Sequence, residues 1–247
     1  MPDALHVVSY PKCGRTWLRV MLDDLGIDAL YTHDRSGFED HAPIPTLDAD
    51  KTKYAGGTVL LMVRDLRDIV VSGYFQVRRR LHLRRADLMS LSDFISDPYY
   101  GIEKAICFNL QWFAAAPEMP QYSILRYEDL HGDTGRALAA VVRFAGRQVS
   151  NEAIADVAAR WSFVHMQRLE ASGGFEARYG NALVPADPAD PESYKVRRGM
   201  IEGYIDYLSS DNIDYCDRIM SDADYFSRLQ SALRLRSVLG FQPCVSG

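Results

Sequence analysis

The stretch LHVVSYPKCGRTWLRVML, which begins at Leu5, constrains this chain more than any other feature. Its first five residues are largely apolar and predict a buried strand, and Pro11 and Gly14 then mark a tight turn. Residues 15–25 predict a helix, which ends at Gly26. A turn of this kind presents unpaired backbone N–H groups and the positive end of the helix dipole. We therefore expect an anion to bind where the helix begins.

The turn also carries side chains suited to a phosphate-like group. Lys12 supplies a positive charge, and Gly14 lets the backbone approach a ligand closely. Thr16 adds a hydroxyl donor, and Arg15 adds a second cation. The lysine precedes the glycine, unlike that of the GxxxxGK[ST] loop, and no GxGxxG motif is present, so a triphosphate with magnesium and a dinucleotide are both disfavoured. The alternative is a strand–turn–helix unit that only connects two elements.

Further strand patterns occur at ALYT (29–32), GGTVLLMVR (56–64) and QYSILRY (121–127). Strands that alternate with helices predict an α/β fold with a central, mostly parallel sheet flanked by helices. No internal repeat or low-complexity linker divides the sequence, so we predict a single domain over residues 1–247. Helices are predicted at 65–83, 90–96, 101–116, 128–146, 152–160 (with Asn151 as N-cap) and within 209–239, and loops at 34–57 and 172–199.

Composition limits the class of protein. The net charge is −5 and the pI is near 5.7, so no overall positive field attracts nucleic acid. The apolar runs are far shorter than a membrane span, and we expect no signal peptide. The scattered cysteines argue against zinc and against a disulfide scaffold, and they favour the cytoplasm. Oligomeric state has no signature in the sequence. The cysteines are Cys13, Cys107, Cys216 and Cys244.

Two segments resemble the signatures of one enzyme family. YPKCGRTW is similar to the YPKSGTTW loop of PAPS-dependent sulfotransferases, which binds the 5′-phosphosulfate of 3′-phosphoadenosine 5′-phosphosulfate (PAPS). VRDLRDIVVSGYF (63–75) resembles the family's RNPKDVAVSYYHF segment, whose arginine and serine bind the 3′-phosphate. Those positions are Arg64 and Ser72 here, about two helical turns apart. The first resemblance implies roles in donor binding for Lys12, Cys13, Gly14, Arg15, Thr16 and Trp17.

Three weaker matches follow in the family's order. LRYEDL is similar to LFYEDM, whose tyrosine contacts the nucleotide, and WSFVHM to TSFENM, whose first and third residues flank the adenine. VRRGMIEGYIDYLS resembles RKGxxGDWKNHFT, whose RKG grips the 3′-phosphate. The residues that carry over are Tyr127, Trp161, Phe163, Arg197, Arg198 and Gly199. Either Trp17 or Trp161 would stack on the purine. The alternatives are core packing for the tryptophans and a solvated surface position for the two arginines.

The resemblance implies a sulfotransferase with the family's P-loop-NTPase-like fold, which uses PAPS as co-substrate and needs no metal. It would transfer the sulfuryl group by in-line displacement to a hydroxyl of a small-molecule, lipid or carbohydrate acceptor. Lys12 would stabilise the leaving phosphate. His33 is the candidate general base, because LYTHD is similar to the family's KTHLP, and Asp34 could orient its ring. His41 is the rival base. The alternative functions are a P-loop-type kinase that uses ATP and a non-catalytic protein that binds PAPS or its product PAP.

Two substitutions depart from the family's pattern. Tyr31 replaces the lysine of KTH, so one transition-state cation is missing unless Arg15 takes its place. Cys13 replaces a serine in the loop, where it would contribute a backbone N–H. Because Cys13 lies beside a helix N-terminus and two cations, its thiol could also have a lowered pKa and be oxidisable.

The sequence does not identify the acceptor. Its pocket is expected among residues 34–57, 76–112 and 167–195. The run QVRRRLHLRR has five arginines within residues 78–85. It is either a solvated helix face or a surface that receives an acidic acceptor, such as a glycan, or a partner.

Overall fold

The structure, a computed structural model, describes residues 4–40, 43–44, 47–83, 88–175, 179 and 183–240 of the 247-residue chain. Within these residues, four strands form one sheet: β1 (Leu5–Ser9), β2 (Ala29–Thr32), β3 (Thr58–Val63) and β4 (Tyr122–Arg126). Their order across the sheet is β2–β1–β3–β4, and each neighbouring pair is parallel. The predicted α/β fold with a central parallel sheet is thus confirmed.

The core is built around the two central strands. Every residue of β3, TVLLMV, is buried, as expected for an apolar, β-branched strand that is covered on both faces. β1 pairs with it from Leu5 opposite Thr58 to Ser9 opposite Met62. β2 lies at the edge of the sheet and is only partly buried.

Helices flank the sheet. In the described part of the chain, none of them combines the length and the apolar character that crossing a membrane requires. The helices are α1 (Arg15–Asp24), α2 (Leu66–Phe75), α3 (Leu91–Ser96), α4 (Ile102–Ala115), α5 (Tyr127–Gly132), α6 (Thr134–Phe144), α7 (Asn151–Arg160), α8 (Phe163–Ala171), α9 (Ser210–Asp222) and α10 (Tyr225–Arg236).

The helix predicted over 128–146 is two helices. Asp133 leaves the helical conformation, with φ −144° and ψ 85°, and so separates α5 from α6. Its carboxylate accepts a hydrogen bond from the backbone N–H of Arg136 and caps α6. The sequence HGDTG contains this cap signal, which the continuous apolar pattern around it conceals.

Two further helices differ from prediction in detail. The N-cap of α7 is Ser150, whose hydroxyl accepts a backbone N–H of the first turn, and not Asn151. The helix predicted over 65–83 is α-helical only as far as Phe75, and Gln76–Arg80 form a π-helical turn. Such widened turns are rare and often lie at functional sites.

The topology brings the ends of the four strands together. The chain passes from β1 to β2 on one side and then to β3 on the other side of β1, so the connections diverge at the carboxyl ends of β1 and β3. Ligands of open α/β sheets bind at such a switch point. The residues that follow the four strands include Lys12 after β1, His33 after β2, Arg64 after β3 and Tyr127 after β4.

Candidate functional site

A cavity opens at the switch point of the sheet. The sequence-predicted site residues that line it are Lys12, Gly14, Arg15, Thr16, Trp17, His33, Arg64, Ser72, Tyr127, Phe163, Arg197, Arg198 and Gly199. These residues come from six separate segments of the chain. The fold therefore brings together most of the residues that the sequence motifs predict, with Cys13 and Trp161 as the two exceptions.

The loop after β1 has the tight backbone that its sequence predicts. Lys12 has a φ of +74° and Gly14 one of +83°. A Cβ on Gly14 would lie 2.6 Å from the ring of Tyr127, so only glycine fits there without a shift of that ring. The ammonium group of Lys12 donates a hydrogen bond of 3.1 Å to Oε1 of Gln76, in the π-helical turn. The loop and the end of α2 thus form one wall of the cavity.

Arg64 joins this loop to the segment that carries Arg197 and Arg198. Its guanidinium group donates to the carbonyl oxygens of Lys12, at 3.2 Å, and Met200, at 2.9 Å. It also lies over the ring of Tyr127, with Cζ 4.2 Å from the centroid. Asp68 is 3.5 Å from Arg64 Nη2 and accepts two backbone N–H groups from the 200–204 loop, so its carboxylate is engaged.

Arg197 and Arg198 have different surroundings. Arg197 is largely buried: Nη1 donates to Glu192 at 2.8 Å and to the Tyr207 hydroxyl at 2.7 Å. Arg198 is more exposed and pairs with Asp206 at 2.5 Å. The alternative of a solvated pair therefore does not describe Arg197.

Three arginines that line the cavity each have one guanidinium nitrogen that is buried without a hydrogen-bond acceptor among the described residues. These nitrogens are Nη1 of Arg15, Nε of Arg64 and Nε of Arg197. A buried N–H group without an acceptor is costly, by about 1–3 kcal/mol or more when it is charged. Burial, followed by the positive charges of nearby lysine and arginine residues, also lowers the pKa of Lys12 well below its usual range. Both observations point to a site that an anion completes.

Gly199 closes the cavity against Phe163. Its φ is +61°, and a Cβ would lie 2.2 Å from two atoms of the Phe163 ring. This close approach explains why the motif needs glycine after its two arginines. Phe163 is the first residue of α8, and this contact holds its ring at the wall of the cavity.

Gly199→Ala is expected to lower the melting temperature more than Gly146→Ala does. Gly146 has a similar φ of +67°, but none of the described residues lies within 4 Å of its Cβ position. Gly146→Ala therefore measures the backbone strain alone, about 1 kcal/mol. Gly199→Ala adds displacement of the Phe163 ring, about 1–3 kcal/mol more. Thermal unfolding measures the melting temperatures of both variants. Equal decreases would show that the Phe163 ring moves aside without an energetic cost.

His33 is held through both ring nitrogens. Nδ1 lies 2.8 Å from the carbonyl oxygen of Ser9, and because a carbonyl only accepts, Nδ1 carries the proton. Nε2 is then unprotonated, and it accepts a hydrogen bond from Nη2 of Arg15 at 2.9 Å. Burial, and then the charge of Arg15, lower the pKa of His33 to about 3. The ring is therefore neutral, and its unprotonated nitrogen is directed toward the guanidinium group of Arg15.

The predicted orienting role of Asp34 is wrong. Its buried carboxylate pairs with Nζ of Lys51 at 2.5 Å and of Lys53 at 2.8 Å. It also accepts a hydrogen bond from the Tyr54 hydroxyl at 3.0 Å. Asp34 therefore fastens the loop that follows His33, while the Ser9 carbonyl oxygen orients the imidazole ring.

Cys13 and Trp161 lie in the core. Burial raises the pKa of the Cys13 thiol to about 12, so the expected lowered pKa is wrong. Desolvation outweighs the two cations because the side chain is directed away from solvent. The indole N–H of Trp161 donates to Asp24 at 2.8 Å, and its ring stacks on Phe175 at a centroid distance of 6.1 Å. Core packing thus accounts for Trp161, and Trp17 is the tryptophan that lines the cavity.

The arginine run is not a solvated face throughout. Arg80 is 10% exposed and lies 3.4 Å from the carboxylate of Glu170, which is fully buried. Arg79 is half exposed and lies 3.9 Å from Asp190. Arg78 donates to the Tyr74 hydroxyl and, at 3.3 Å, to the carbonyl oxygen of Met89. Arg84 and Arg85, and the rival base His41, lie outside the described residues.

Other cavity residues have no role that the sequence motifs assign. Gln76 accepts the hydrogen bond of Lys12, and Asp68 ties the 200–204 loop to α2. Lys195 also lines the cavity. Its one sequence signal is its position two residues before Arg197. Within the described residues, no cluster of histidine, cysteine, aspartate or glutamate side chains could hold a metal ion.

Comparison with known proteins identifies a family. A family model described as "Sulfotransferase domain" matches residues 33–230, which is most of the chain. No curated protein sequence matches the chain significantly.

Solved structures share the fold. Mouse sulfotransferase SULT7A1 complexed with PAP has a TM-score of 0.64 at 17% identity, and the match covers 94% of this chain and 87% of that one. Retinol dehydratase complexed with retinol and PAP has a TM-score of 0.63 at 16% identity, with 90% and 81% covered. Retinol dehydratase complexed with androsterone and inactive cofactor PAP has a TM-score of 0.60 at 16% identity, with 89% and 80% covered.

Proposed function

The chain belongs to the sulfotransferase domain family, and we propose that it transfers the sulfuryl group of PAPS to a hydroxyl group of a small-molecule, lipid or carbohydrate acceptor. The observation that carries this proposal is the set of buried guanidinium N–H groups without acceptors, on Arg15, Arg64 and Arg197. These three arginines line one cavity together with the helix start after β1. A donor with anionic groups at both its 5′ and its 3′ positions would satisfy them.

Each part of the donor has candidate partners in the cavity. The 5′-phosphosulfate would lie on the loop after β1, where Lys12, Thr16 and the backbone N–H groups of Cys13 and Gly14 are donors. The adenine would lie between Trp17 and Phe163 and contact Tyr127, since Trp161 is in the core. The 3′-phosphate would be held by Arg64, Ser72, Arg197 and Arg198, with the backbone of Gly199 close by.

The reaction is an in-line displacement at sulfur. A lone pair of the acceptor oxygen forms the new O–S bond while the bond between sulfur and the 5′-phosphate oxygen breaks. That bonding pair stays on the departing PAP, whose oxygen Lys12 stabilises. The acceptor's hydroxyl proton passes to Nε2 of His33, which the Ser9 carbonyl oxygen keeps in the required tautomer. Arg15, which bonds that nitrogen, would turn its charge toward the transferring group.

Structural relatives support the choice of donor and acceptor class. PAP is bound in the three solved structures described above, and retinol and androsterone in two of them are small molecules. We propose the cytoplasm as the location, because the described cysteines Cys13, Cys107 and Cys216 are all free thiols.

Thermal shift tests the donor assignment. PAP at about one hundred times its dissociation constant is expected to raise the melting temperature by about 5–10 °C, since such saturation adds about 2.7 kcal/mol of stability. ATP with magnesium, at the same concentration, is expected to give a much smaller shift. A larger shift with ATP and magnesium would overturn the proposal in favour of a kinase, and no shift with either would argue against a nucleotide site.

A further inference from the structure

We propose that Lys195 is a further catalytic residue of this site and that its ammonium group contacts the sulfuryl oxygens of the donor. This inference rests on the proposed function. No motif of the sequence assigns a role to this residue. Its segment is matched only through the RRG that follows it.

Lys195 is positioned close to the reacting groups. It lines the same cavity as Lys12 and His33. Among the charged groups that lower the pKa of Lys12, Lys195 has the largest effect, ahead of Arg197. Its charge also contributes to the lowered pKa of His33. Lys195 therefore shares a cavity with the residue proposed to hold the leaving oxygen and with the proposed base, and its charge acts on both.

A buried carboxylate fixes the backbone at this point. Glu170 of α8 is fully buried and accepts the backbone N–H of Lys195 at 2.6 Å and that of Val196 at 2.7 Å. The same carboxylate lies 3.4 Å from Arg80 in the π-helical turn. That turn also supplies Gln76, which bonds Lys12. Glu170 and the π-helical turn thus place Lys12 and Lys195 on two walls of one cavity.

The side chain of Lys195 is available to a ligand. Within the described residues, no hydrogen bond or ion pair engages its ammonium group. Burial, then the charges of Arg80 and Arg15, only partly offset by Glu170 and Glu39, lower the pKa of Lys195 to about 8. A half-buried cation among other cations is stabilised when an anion arrives. The transferring sulfuryl group is the part of the donor nearest to the base and the leaving oxygen.

Lys195 would also replace a positive charge that the sequence lacks at Tyr31. Tyr31 stands where the related enzymes have a lysine, and its ring faces Arg19, 5.3 Å away. One positive charge is therefore missing from the end of β2. Lys195 supplies a charge to the same cavity from a different segment of the chain.

The test compares the dissociation constants of PAPS and PAP, which differ by the sulfuryl group, measured by calorimetry. Lys195→Met is expected to weaken PAPS binding about tenfold and PAP binding less than about twofold, the difference being one charge-assisted contact. Lys195→Arg is expected to keep the wild-type ratio. The matched control is Arg218→Met, which removes one charge from an exposed pair with Asp222 on α9 and should change neither constant.

The pH dependence adds a readout that a merely structural lysine would not move. In the wild type, the preference for PAPS over PAP is expected to fall between about pH 7 and 9, because the charge of Lys195 is lost as the pH rises through about 8. In Lys195→Arg the preference should stay constant, since arginine remains protonated.

The outcomes separate the two proposals. Equal weakening of PAPS and PAP in Lys195→Met, or no weakening of either, would overturn the role of Lys195 and leave the sulfotransferase assignment standing. Absence of PAP binding by the wild-type protein would overturn the proposed function, and the role of Lys195 with it.

Discussion

Arg64→Ala is expected to remove most of the protein's preference for PAP over adenosine 5′-monophosphate, two nucleotides that differ by the 3′-phosphate. The Nε–H of Arg64 is buried without an acceptor among the described residues, and its other nitrogens are oriented by the carbonyl oxygens of Lys12 and Met200. A fixed guanidinium group with a free N–H is suited to a terminal phosphate. Loss of a hydrogen bond to a charged group costs about 1.5–3 kcal/mol, so the affinity ratio should fall by about 10- to 100-fold.

The ratio of affinities separates recognition from structural damage. Arg64 also packs on Tyr127, so its removal weakens the site for both nucleotides. Arg67→Ala is the matched control, because Arg67 lies three residues farther along, in the first turn of α2, and bonds Asp65 and Asp217 but does not line the cavity. It should lower stability and leave the ratio unchanged. If Arg64→Ala weakens both nucleotides by the same factor, Arg64 does not recognise the 3′-phosphate.

The sheet and the location of the site follow from local patterns in the sequence. An apolar run such as TVLLMV, with β-branched residues and two glycines before it, favours a buried strand, and parallel strands place their carboxyl ends at one edge. Residues that come directly after such strands, including His33 and Arg64, therefore lie close together. This does not depend on where the helices begin and end. Motif order was sufficient to predict most of the cavity lining because each motif lies at one of these strand ends or faces them.

The direction of individual side chains did not follow from the sequence. Trp161 and Phe163 belong to one motif, yet Trp161 ends α7 and is buried against Phe175, while Phe163 begins α8 and lines the cavity. Cys13 is beside two cations in sequence, but its thiol is buried, and desolvation decides its pKa. These outcomes depend on tertiary packing, which neighbouring residues in the sequence do not determine.

Contacts between residues far apart in the chain also cannot be predicted from the sequence. Glu170 accepts the backbone N–H groups of residues 25 and 26 positions farther along the chain, and it also approaches Arg80 from 90 positions away. A single glutamate in a helix, MQRLEA, gives no sign of such partners. Lys195, through its backbone N–H, and Arg80 both contact this buried carboxylate, and the sequence around each of them does not indicate the contact.

His33→Ala is expected to reduce sulfuryl transfer by about 10²- to 10⁴-fold, the range contributed by a general base, while PAP affinity stays within about threefold of the wild type. Among the described residues, the hydrogen bonds of the imidazole are to Arg15 and to the carbonyl oxygen of Ser9. Transfer would be measured as labelled sulfate moved from PAPS to hydroxylated acceptors that the wild-type protein uses. His33→Gln is a second variant, because its side chain can still accept a hydrogen bond from Arg15 but cannot take the proton.

Both variants should be inactive if His33 is the base. Activity in His33→Gln but not in His33→Ala would show that the residue only positions Arg15. Full activity in both would transfer the role to another group, with His41→Ala as the next variant. His165→Ala is the control, since His165 lies beside Trp161 and does not line the cavity.

The pH profile of donor kcat/KM gives an independent measure of the same base, since it reports the free enzyme. A base must be neutral to accept a proton, and burial together with Arg15 lowers the pKa of His33 to about 3. The rate should therefore stay constant as the pH falls from about 7 to 5, whereas an unperturbed histidine would lose activity below about 6.5. Burial, the larger cause of the lowered pKa, remains in Arg15→Met, but removal of the neighbouring charge is expected to raise the pKa of His33 and to move the acidic limb to a higher pH than in the wild type. A wild-type limb near pH 6.5 would mean that a different histidine, or an unburied His33, is the base.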